Sequence, residues 1–495
     1  MRNQVQLITY ADRLGGDLPG LSALLRERFE GVFGGVHVLP FFTPYDGADA
    51  GFDPEDHTAV DPRLGSWQDV RALGDGLDTV VDVIVNHVSA GSAQVRDVVS
   101  RGSASPWAGM FLTLASVFPD GATEQELATI YRPRPGLPFT PMTWGGERRL
   151  VWTTFTPQQV DLDVSSREAR EYLVGILDTL AAAEVSMIRL DAVGYAVKTP
   201  GTTCFMTPET FAVIDELTLL ARERGLEVLV EVHSYYQRQV EIGRAVDRVY
   251  DFALPPLVLH AAYTGDHGAL LHWMGIRPTN AVTVLDTHDG IGIVDVGPDQ
   301  TAPDRPGLLD PAQLDAVVEG IHAATGGASR RATGWAASNL DVYQVNSTFY
   351  DALARDDHRY LAARALQLFT PGIPQVYYVG ALAGHNDLDL LESTGVGRDI
   401  NRHHYTVEEV EAALERPVVR ALCALARFRN TLDVFDGRCE VTPVPDGGIA
   451  ISWQDGDRQA SVVVDLASGR TELTWSDGAG RSGRTTDLLV DPPVA

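Results

Sequence analysis

The stretch Met187-Ile188-Arg189-Leu190-Asp191 is a short apolar run that ends on a carboxylate. Runs of this kind are typical of parallel β-strands that are buried on both faces. Segments with helical spacing of apolar residues flank it, at 166–183 before it and at 207–225 after it. A strand between two helices is the repeating unit of an α/β fold, so this stretch decides the fold class.

Seven further runs of the same character alternate with helical segments over the first ~430 residues, as expected for successive βαβ units. The eight predicted strands cover residues 5–10, 36–42, 80–86, 187–191, 228–232, 249–253, 282–286 and 375–379. Eight is the strand number of a (β/α)8 TIM barrel, and we therefore predict that fold.

Two long segments interrupt the alternation, and a third region follows it. We assign 1–84, 166–290 and 355–434 to the barrel, 85–165 to an inserted domain B after strand three, and 291–354 to an inserted domain B-prime after strand seven. Segments of this length are too long for ordinary loops. From 435 to 495 the apolar residues alternate, as at Ile449, Ile451 and Trp453, which predicts a C-terminal antiparallel β domain.

The composition limits the classes of partner. The 495 residues carry a formal net charge of −28, and 44% of them are hydrophobic. Such an acidic chain offers no broad positive face to nucleic acid or to an anionic membrane. Three cysteines at wide spacing indicate neither a disulfide framework nor a metal site. No segment resembles a secretory signal or a membrane helix, so we expect a cytoplasmic protein.

Acidic and histidine residues directly follow four of the predicted strands. Asp191 ends strand four, Glu231 ends strand five, His288 and Asp289 lie just past strand seven, and His87 lies at the top of strand three. Barrel enzymes build their active sites at these carboxyl ends. Two carboxyl groups about 5–5.5 Å apart can cleave a glycosidic bond with retention of configuration. Two interpretations of Asp286 stay open: structural support of the turn, or a direct role in the reaction.

Four segments resemble the signature segments of the α-amylase superfamily of retaining glycoside hydrolases, in the same order. They read VDVIVNH at 81–87, IRLDA at 188–192, VEVH at 230–233 and VLDTHD at 284–289. Further segments are similar to a narrower group in that superfamily, the disaccharide phosphorylases that act on sucrose. These segments are 8–14, 40–44, 49–53, 131–138 and 339–346, and the similarity extends over essentially the whole chain.

The resemblance implies roles for the strand-end residues. Asp191 would be the nucleophile, Glu231 the acid/base and Asp289 the stabiliser of the transition state. Arg189, two residues before Asp191 on the same side of the strand, should hold that carboxylate ionised and oriented. The charge of Asp191 should then favour a protonated Glu231 at the start of the reaction, and esterification of Asp191 would let Glu231 act as a base.

The resemblance also implies a set of substrate contacts. On the glucosyl side they are hydrogen bonds from His87 and His288, closure of the far end by Asp49 and Arg398, and apolar walls from Phe52 and Phe155. On the acceptor side they are Arg134, Asp341, Tyr343 and Gln344, with Gln159 and His233 contacting the acceptor or the covalent intermediate. Arg134 can bind an oxyanion through its planar fork, which would supply local positive charge in an acidic chain. Without the resemblance, an exposed loop charge is the simpler interpretation of Arg134.

The implied reaction transfers the glucosyl group of sucrose to inorganic phosphate, giving α-D-glucose 1-phosphate and fructose. We expect no cofactor and no required metal, although Asn86 corresponds to a residue near which many amylases bind calcium. If the protein is an enzyme, the alternatives are a related phosphorylase for sucrose 6′-phosphate or glucosylglycerate, or a sucrose hydrolase. A catalytically inactive binding module is the alternative from another class, but it predicts loss of a carboxylate or a membrane anchor. The family is often dimeric, so a homodimer is also expected, with no interface identified.

Overall fold

Eight short parallel strands form a closed barrel at the centre of the molecule. The structure is a computed structural model that describes residues 1–132, 136–300, 302, 304–333, 343–445 and 447–494. The barrel strands are β1 (Gln6–Thr9), β2 (Gly35–Val38), β3 (Asp78–Ile84), β4 (Met187–Asp191), β5 (Glu227–Val230), β6 (Arg248–Asp251), β7 (Ala281–Thr283) and β8 (Ile373–Tyr377). Each strand pairs with the next along the chain, and β8 closes the barrel on β1. The predicted TIM barrel is confirmed.

The strands are shorter than their apolar runs. The run at 36–42 leaves the barrel after Val38, and Phe42 pairs antiparallel with Val60 in a loop. The run at 80–86 likewise leaves the barrel after Ile84. The residues beyond both strand ends stay buried, because the loops above the barrel pack on them. Burial alone therefore does not mark where a strand ends.

Eight helices surround the strands. They are α1 (Leu18–Glu27), α2 (Trp67–Leu73), α3 (Arg167–Ala182), α4 (Pro208–Arg222), α5 (Tyr236–Ile242), α6 (Leu254–Thr264), α7 (Asp357–Phe369) and α8 (Pro417–Thr431). Two of them, α6 and α7, are buried on nearly all sides. Another helix, Gly268–Ile276, lies between α6 and α7. The side chains of Ser166 and Thr207 accept hydrogen bonds from backbone N–H groups in the first turns of α3 and α4.

Long connections cover the carboxyl ends of the strands. Between β3 and α3 lie strands His87–Ser89, Phe139–Trp144, Glu147–Trp152 and Gln159–Asp161 and helices Ala93–Arg101, Leu114–Val117 and Glu124–Thr129. Between β7 and α7 lie strands Ile291–Gly292 and Gln344–Val345 and helices Pro311–Ala324, Ala328–Thr333 and Phe349–Ala352. After β8 come helices Tyr378–Ala381, Leu388–Thr394 and Val407–Leu414. The domain boundaries given above stay a prediction.

A five-stranded antiparallel sheet follows the barrel, as predicted. Its strands are Arg438–Pro443, Ile449–Asp455, Arg458–Asp465, Arg470–Ser476 and Ser482–Thr485. Ile449, Ile451 and Trp453 all face inward. The indole N–H of Trp453 donates to the carbonyl of Phe369 at the end of α7, at 2.7 Å, which ties the sheet to the barrel.

Candidate active site

A cavity of about 380 Å³ opens at the carboxyl ends of the barrel strands. A larger cavity of about 960 Å³ lies at the opposite end, beside Met1 and Arg429. In TIM-barrel enzymes the catalytic groups come from the carboxyl ends of the strands, whereas residues at the amino ends contribute to stability. We therefore place the candidate site in the smaller cavity.

Thirteen of the sixteen predicted site residues line this cavity. They are Asp49, Phe52, His87, Phe155, Gln159, Asp191, Glu231, His233, His288, Asp289, Tyr343, Gln344 and Arg398. Arg189 is buried behind the lining and contacts Asp191. Arg134 and Asp341 lie outside the described residues.

Asp191 is held by an arginine that is itself held by a second carboxylate. Arg189 donates from Nη1 to Asp191 Oδ1 at 2.8 Å, and the same nitrogen donates to Asp82. Asp82 in turn contacts His37 Nε2 at 3.1 Å inside the barrel. This chain of charges fixes the orientation of Asp191 from below.

Glu231 lies beside Asp191 because β4 and β5 are neighbouring strands. Leu190 pairs in register with Val230, so the next residue of each strand is Asp191 and Glu231. Neighbouring strands lie about 4.8 Å apart, which suits the roughly 5–5.5 Å between carboxyl groups of retaining enzymes. The backbone N–H of Ala192 donates to Glu231 Oε2 at 3.3 Å.

The surroundings of Asp191 disfavour its ionised form. Burial raises the pKa of Asp191 well above its usual value, Arg189 opposes this, and Glu231 adds to the rise. The charge of Glu231 therefore disfavours ionisation of Asp191. Arg189 favours the ionised form of Asp191, as expected, but burial and the neighbouring carboxylates outweigh it.

Asp289 has the opposite electrostatic environment. Burial by itself would raise the pKa of Asp289, but Arg398 and then His288 outweigh burial and hold that pKa far below its usual range. In the part of the chain that the structure describes, the nearest cation is Arg398 Nη1, at 2.8 Å from Asp289 Oδ1. Asp289 is therefore a carboxylate throughout the physiological range and can respond to positive charge that develops on a sugar ring.

Neutral imidazoles and aromatic rings line the sugar-sized part of the cavity. Burial lowers the pKa of His288 to about 3 and also lowers the pKa of His87, so both rings are neutral at pH 7. The ring of Phe52 stacks on His288, with centroids 4.9 Å apart. His87 Nε2 contacts the carbonyl of Phe52 at 2.9 Å, and the amide of Gln159 donates to the same carbonyl at 3.3 Å. Phe155 packs against His87.

Asp49 lies in a loop after β2 whose backbone is strained. Asp49 and Ala50 have φ values of 52° and 54°, which only a tightly packed surrounding holds in a residue other than glycine. Arg398 reaches Asp49 at 3.4 Å and also donates to Gln344 Oε1 at 3.3 Å. One arginine therefore connects three loops at the far wall.

Lys198 ties together the segments around His87. Its ammonium donates to Asn86 Oδ1 at 2.8 Å and to the carbonyl of Tyr195, and it lies 2.8 Å from Asp161 Oδ2. This is the only lysine in the sequence. Because its charge already fills the space among these oxygens, the donor set at Asn86 does not fit a divalent cation, and no step is derived through a metal.

Several contributors were not found from the sequence. Tyr195 lines the cavity, Lys198 supports it, and Asp295 contacts His233. None of them follows an apolar strand, and their partners are distant along the chain. The single lysine in 495 residues was the one available signal. Asp286, whose role was open, forms a buried ion pair with Arg364 of α7 at 2.5 Å, which favours structural support.

Comparison with known proteins places these observations in a family. The model of the α-amylase catalytic domain matches residues 10–232. A sucrose phosphorylase of Bifidobacterium adolescentis is 57% identical over 100% of both chains. A sucrose phosphorylase of Agrobacterium vitis is 57% identical over 96% of this chain and 98% of its own. The crystal structure of a sucrose 6F-phosphate phosphorylase from Thermoanaerobacter thermosaccharolyticum superposes with a TM-score of 0.91 at 37% identity, over 98% of each chain.

Proposed function

The chain belongs to the α-amylase family and, within it, to the sucrose phosphorylases, and from that premise we propose how its barrel mouth moves a glucosyl group from sucrose to inorganic phosphate. The enzyme is a retaining glycosyltransferase. The products are α-D-glucose 1-phosphate and fructose. The observation that carries the proposed roles is the placement of Asp191 and Glu231 side by side in a cavity of about 380 Å³, the scale of one sugar ring and its acceptor.

In the first step Asp191 attacks C1 of the glucosyl group while the bond from C1 to the fructosyl oxygen breaks. Glu231 donates its proton to that oxygen, and fructose leaves. The product is a β-glucosyl ester on Asp191. The step requires that Glu231 holds a proton and that Asp191 is ionised when sucrose is bound.

In the second step a phosphate oxygen attacks C1 from the face that fructose left. Glu231 takes the proton of the attacking oxygen, and the ester bond to Asp191 breaks. Two inversions give net retention, so the product is the α-anomer. Since esterified Asp191 carries no charge, Glu231 can remain ionised until it accepts that proton.

The other residues bind and orient the sugar. We assign hydrogen bonds with the glucosyl hydroxyls to His87 and His288, whose neutral rings suit neutral hydroxyls. Asp289 interacts more strongly as the ring gains oxocarbenium character, since its charge is already preorganised by Arg398. Asp49 and Arg398 form the far wall of the glucosyl site. Phe52 and Phe155 form the remaining walls of the glucosyl site, and Gln159 contacts the acceptor or the covalent intermediate.

The acceptor site is assigned to side chains of the two insertions. Tyr343, Gln344 and His233 line the cavity on this side. Arg134 and Asp341 complete the proposed site by resemblance, and Arg134 would supply a charged fork for phosphate. Among the described residues no helix has both the length and the apolar character required to cross a bilayer. Cytoplasmic location and a homodimer stay predictions.

The test is product analysis. We expect the purified enzyme, incubated with sucrose and inorganic phosphate, to give glucose 1-phosphate with the α configuration by NMR. An Asp191→Asn variant that retains the native circular dichroism spectrum serves as the inactive control. Free glucose as the main product at saturating phosphate would contradict the phosphorylase assignment, and a β-anomer would contradict double displacement.

A further inference from the structure

Within the described residues, one ring nitrogen beside Glu231 and Asp289 has no hydrogen-bond partner. His233 Nε2 is buried and unpaired within the described part of the chain. It lies 3.9 Å from Glu231 Oε1 and 4.0 Å from Asp289 Oδ2. The ring is fixed by Phe252, which stacks on it at 3.8 Å, and by the edge contact of Tyr343. A buried, unpaired polar atom in a rigid ring is placed to contact a ligand.

The other nitrogen of the same ring is held by Asp295, which the insertion after β7 provides. Asp295 Oδ2 lies 2.8 Å from His233 Nδ1. Its second oxygen, Oδ1, accepts from the backbone N–H of Ser234 at 3.0 Å and from Gln239 Nε2 at 3.1 Å. Asp295 is fully buried. A carboxylate oxygen can only accept a hydrogen bond, so His233 Nδ1 must carry a proton to make this contact.

The backbone at Gly292 leaves room for the contact between Asp295 and His233. A Cβ atom at Gly292 would lie 2.1 Å from Asp295 Oδ2 and 3.1 Å from His233 Nδ1. A residue with a side chain at position 292 would therefore displace Asp295 or the ring. Glycine at that position is what the close approach of the carboxylate requires.

Three carboxyl groups and one phenol face the His233 ring, and the carboxyl groups favour its charged form. These four groups are the carboxylates of Asp295, Glu231 and Asp289, and the phenol of Tyr343. Burial alone would lower the pKa of His233, but Asp295 first, and then Glu231 and Asp289, outweigh burial and raise that pKa. A ring with a bare Nε2 would point a lone pair at two carboxylates, whereas an imidazolium points a proton at them.

We propose that Asp295 is a positioning residue of the phosphate step: it holds His233 as an Nε2–H donor that faces the acceptor side and favours an anionic acceptor over water. This inference rests on the proposed function. His233 keeps its proton throughout. In the step itself the bond from C1 to the phosphate oxygen forms, the bond from C1 to Asp191 breaks, and the phosphate proton passes to Glu231.

The primary test is Asp295→Asn, compared with Asp351→Asn as a matched control. Asparagine has one acceptor oxygen, and it cannot serve the three donors that Asp295 satisfies. Asp351 is also buried and contacts an imidazole, His385 Nδ1 at 3.2 Å, and a backbone N–H, that of Asn386 at 3.2 Å, but it does not line the cavity. We expect Asp295→Asn to lower kcat/KM for phosphate by about 10- to 100-fold, as for loss of one charge-assisted hydrogen bond.

The hydrolysis of sucrose without phosphate is the internal reference. Its rate should change by less than about threefold in Asp295→Asn, so the ratio of phosphorolysis to hydrolysis falls. In a His233→Gln background the same substitution should have no further effect on that ratio, because the two residues act as one unit. Equal loss of both activities would show a merely structural role and would overturn the proposal. So would an unchanged ratio, or additive effects in the double variant.

A spectroscopic test is read on the wild-type enzyme, and a folded variant serves only to assign the signal. In wild-type enzyme labelled with 15N-histidine, the signal that disappears in His233→Gln identifies His233. Both ring nitrogens should be protonated at pH 7, and an unprotonated Nε2 would overturn the proposal. If the wild type produced no glucose 1-phosphate, the proposed function would fail, while the same spectrum recorded on Asp295→Asn would still decide whether Asp295 sets the protonation of His233.

Discussion

Replacing Lys198 with methionine removes one charge from the support of the active site at nearly constant volume. The ammonium is 1% exposed, and its partner Asp161 is 0% exposed. Asp161 pairs in register with His87, Asn86 precedes His87, and Tyr195 lines the cavity. The substitution therefore acts on three segments that shape the glucosyl pocket.

The expected loss of stability follows from these contacts. Removing one partner of a buried ion pair costs about 3–5 kcal/mol, because the other charge stays buried without compensation. Asp161 keeps two donors, the backbone N–H of Thr154 at 2.9 Å and its hydroxyl at 2.5 Å. This places the expected value for Lys198→Met near the lower end, at about 3 kcal/mol. Asn86 Oδ1 also loses its donor, so KM for sucrose should rise.

The assay is equilibrium unfolding in urea, with KM for sucrose measured on the same preparations. Arg330→Met is the control, because Arg330 forms an exposed ion pair with Glu319 at 2.6 Å and should contribute less than about 1 kcal/mol. Lys198→Arg should also be destabilised, since a planar guanidinium does not fit a site built for a compact ammonium. A Lys198→Met variant as stable as the control, with an unchanged KM, would refute this account of the buried lysine.

Three further predictions concern the charges around the site. Asp191→Asn should lower kcat by at least about 10³-fold in a glucose 1-phosphate assay, and residual turnover near the wild-type rate would exclude it as nucleophile. Arg398→Met should raise the pKa of Asp289, because burial raises it and Arg398 is the first of the groups that lower it. Asp289 then protonates at higher pH, so the acid limb of kcat/KM for sucrose should move to higher pH, and an unmoved limb would contradict this. Arg364→Met should lower the free energy of unfolding by about 3–5 kcal/mol in urea, because it leaves Asp286 buried without its cation. A loss below that of an exposed pair would argue against the supporting role.

The barrel and its strand-end carboxylates could be predicted because they depend on local pattern. Parallel strands buried on both faces read as apolar runs, and the residue that ends such a run lies at the barrel mouth. Asp191 and Glu231 are of this kind. The strand ends themselves could not be located, because Phe42 and Asn86 stay buried beyond the barrel under the covering loops.

The supporting residues depend on contacts between distant segments. Lys198 meets Asn86 112 residues away, and Asp295 meets His233 62 residues away. No periodicity or neighbouring motif marks such pairs. The rise in the pKa of Asp191 was also beyond the sequence, because it depends on burial of that carboxyl group beside other charges.

The direct test of the account is the identity of the residue that carries the glucosyl group. We propose to treat a Glu231→Gln variant with α-glucosyl fluoride, whose fluoride leaves without a proton from residue 231, and to map the modified peptide by mass spectrometry. The account predicts one glucosyl group, attached to Asp191, because the variant lacks the base that activates the incoming acceptor. Attachment to another residue, or turnover without any covalent adduct, would contradict it.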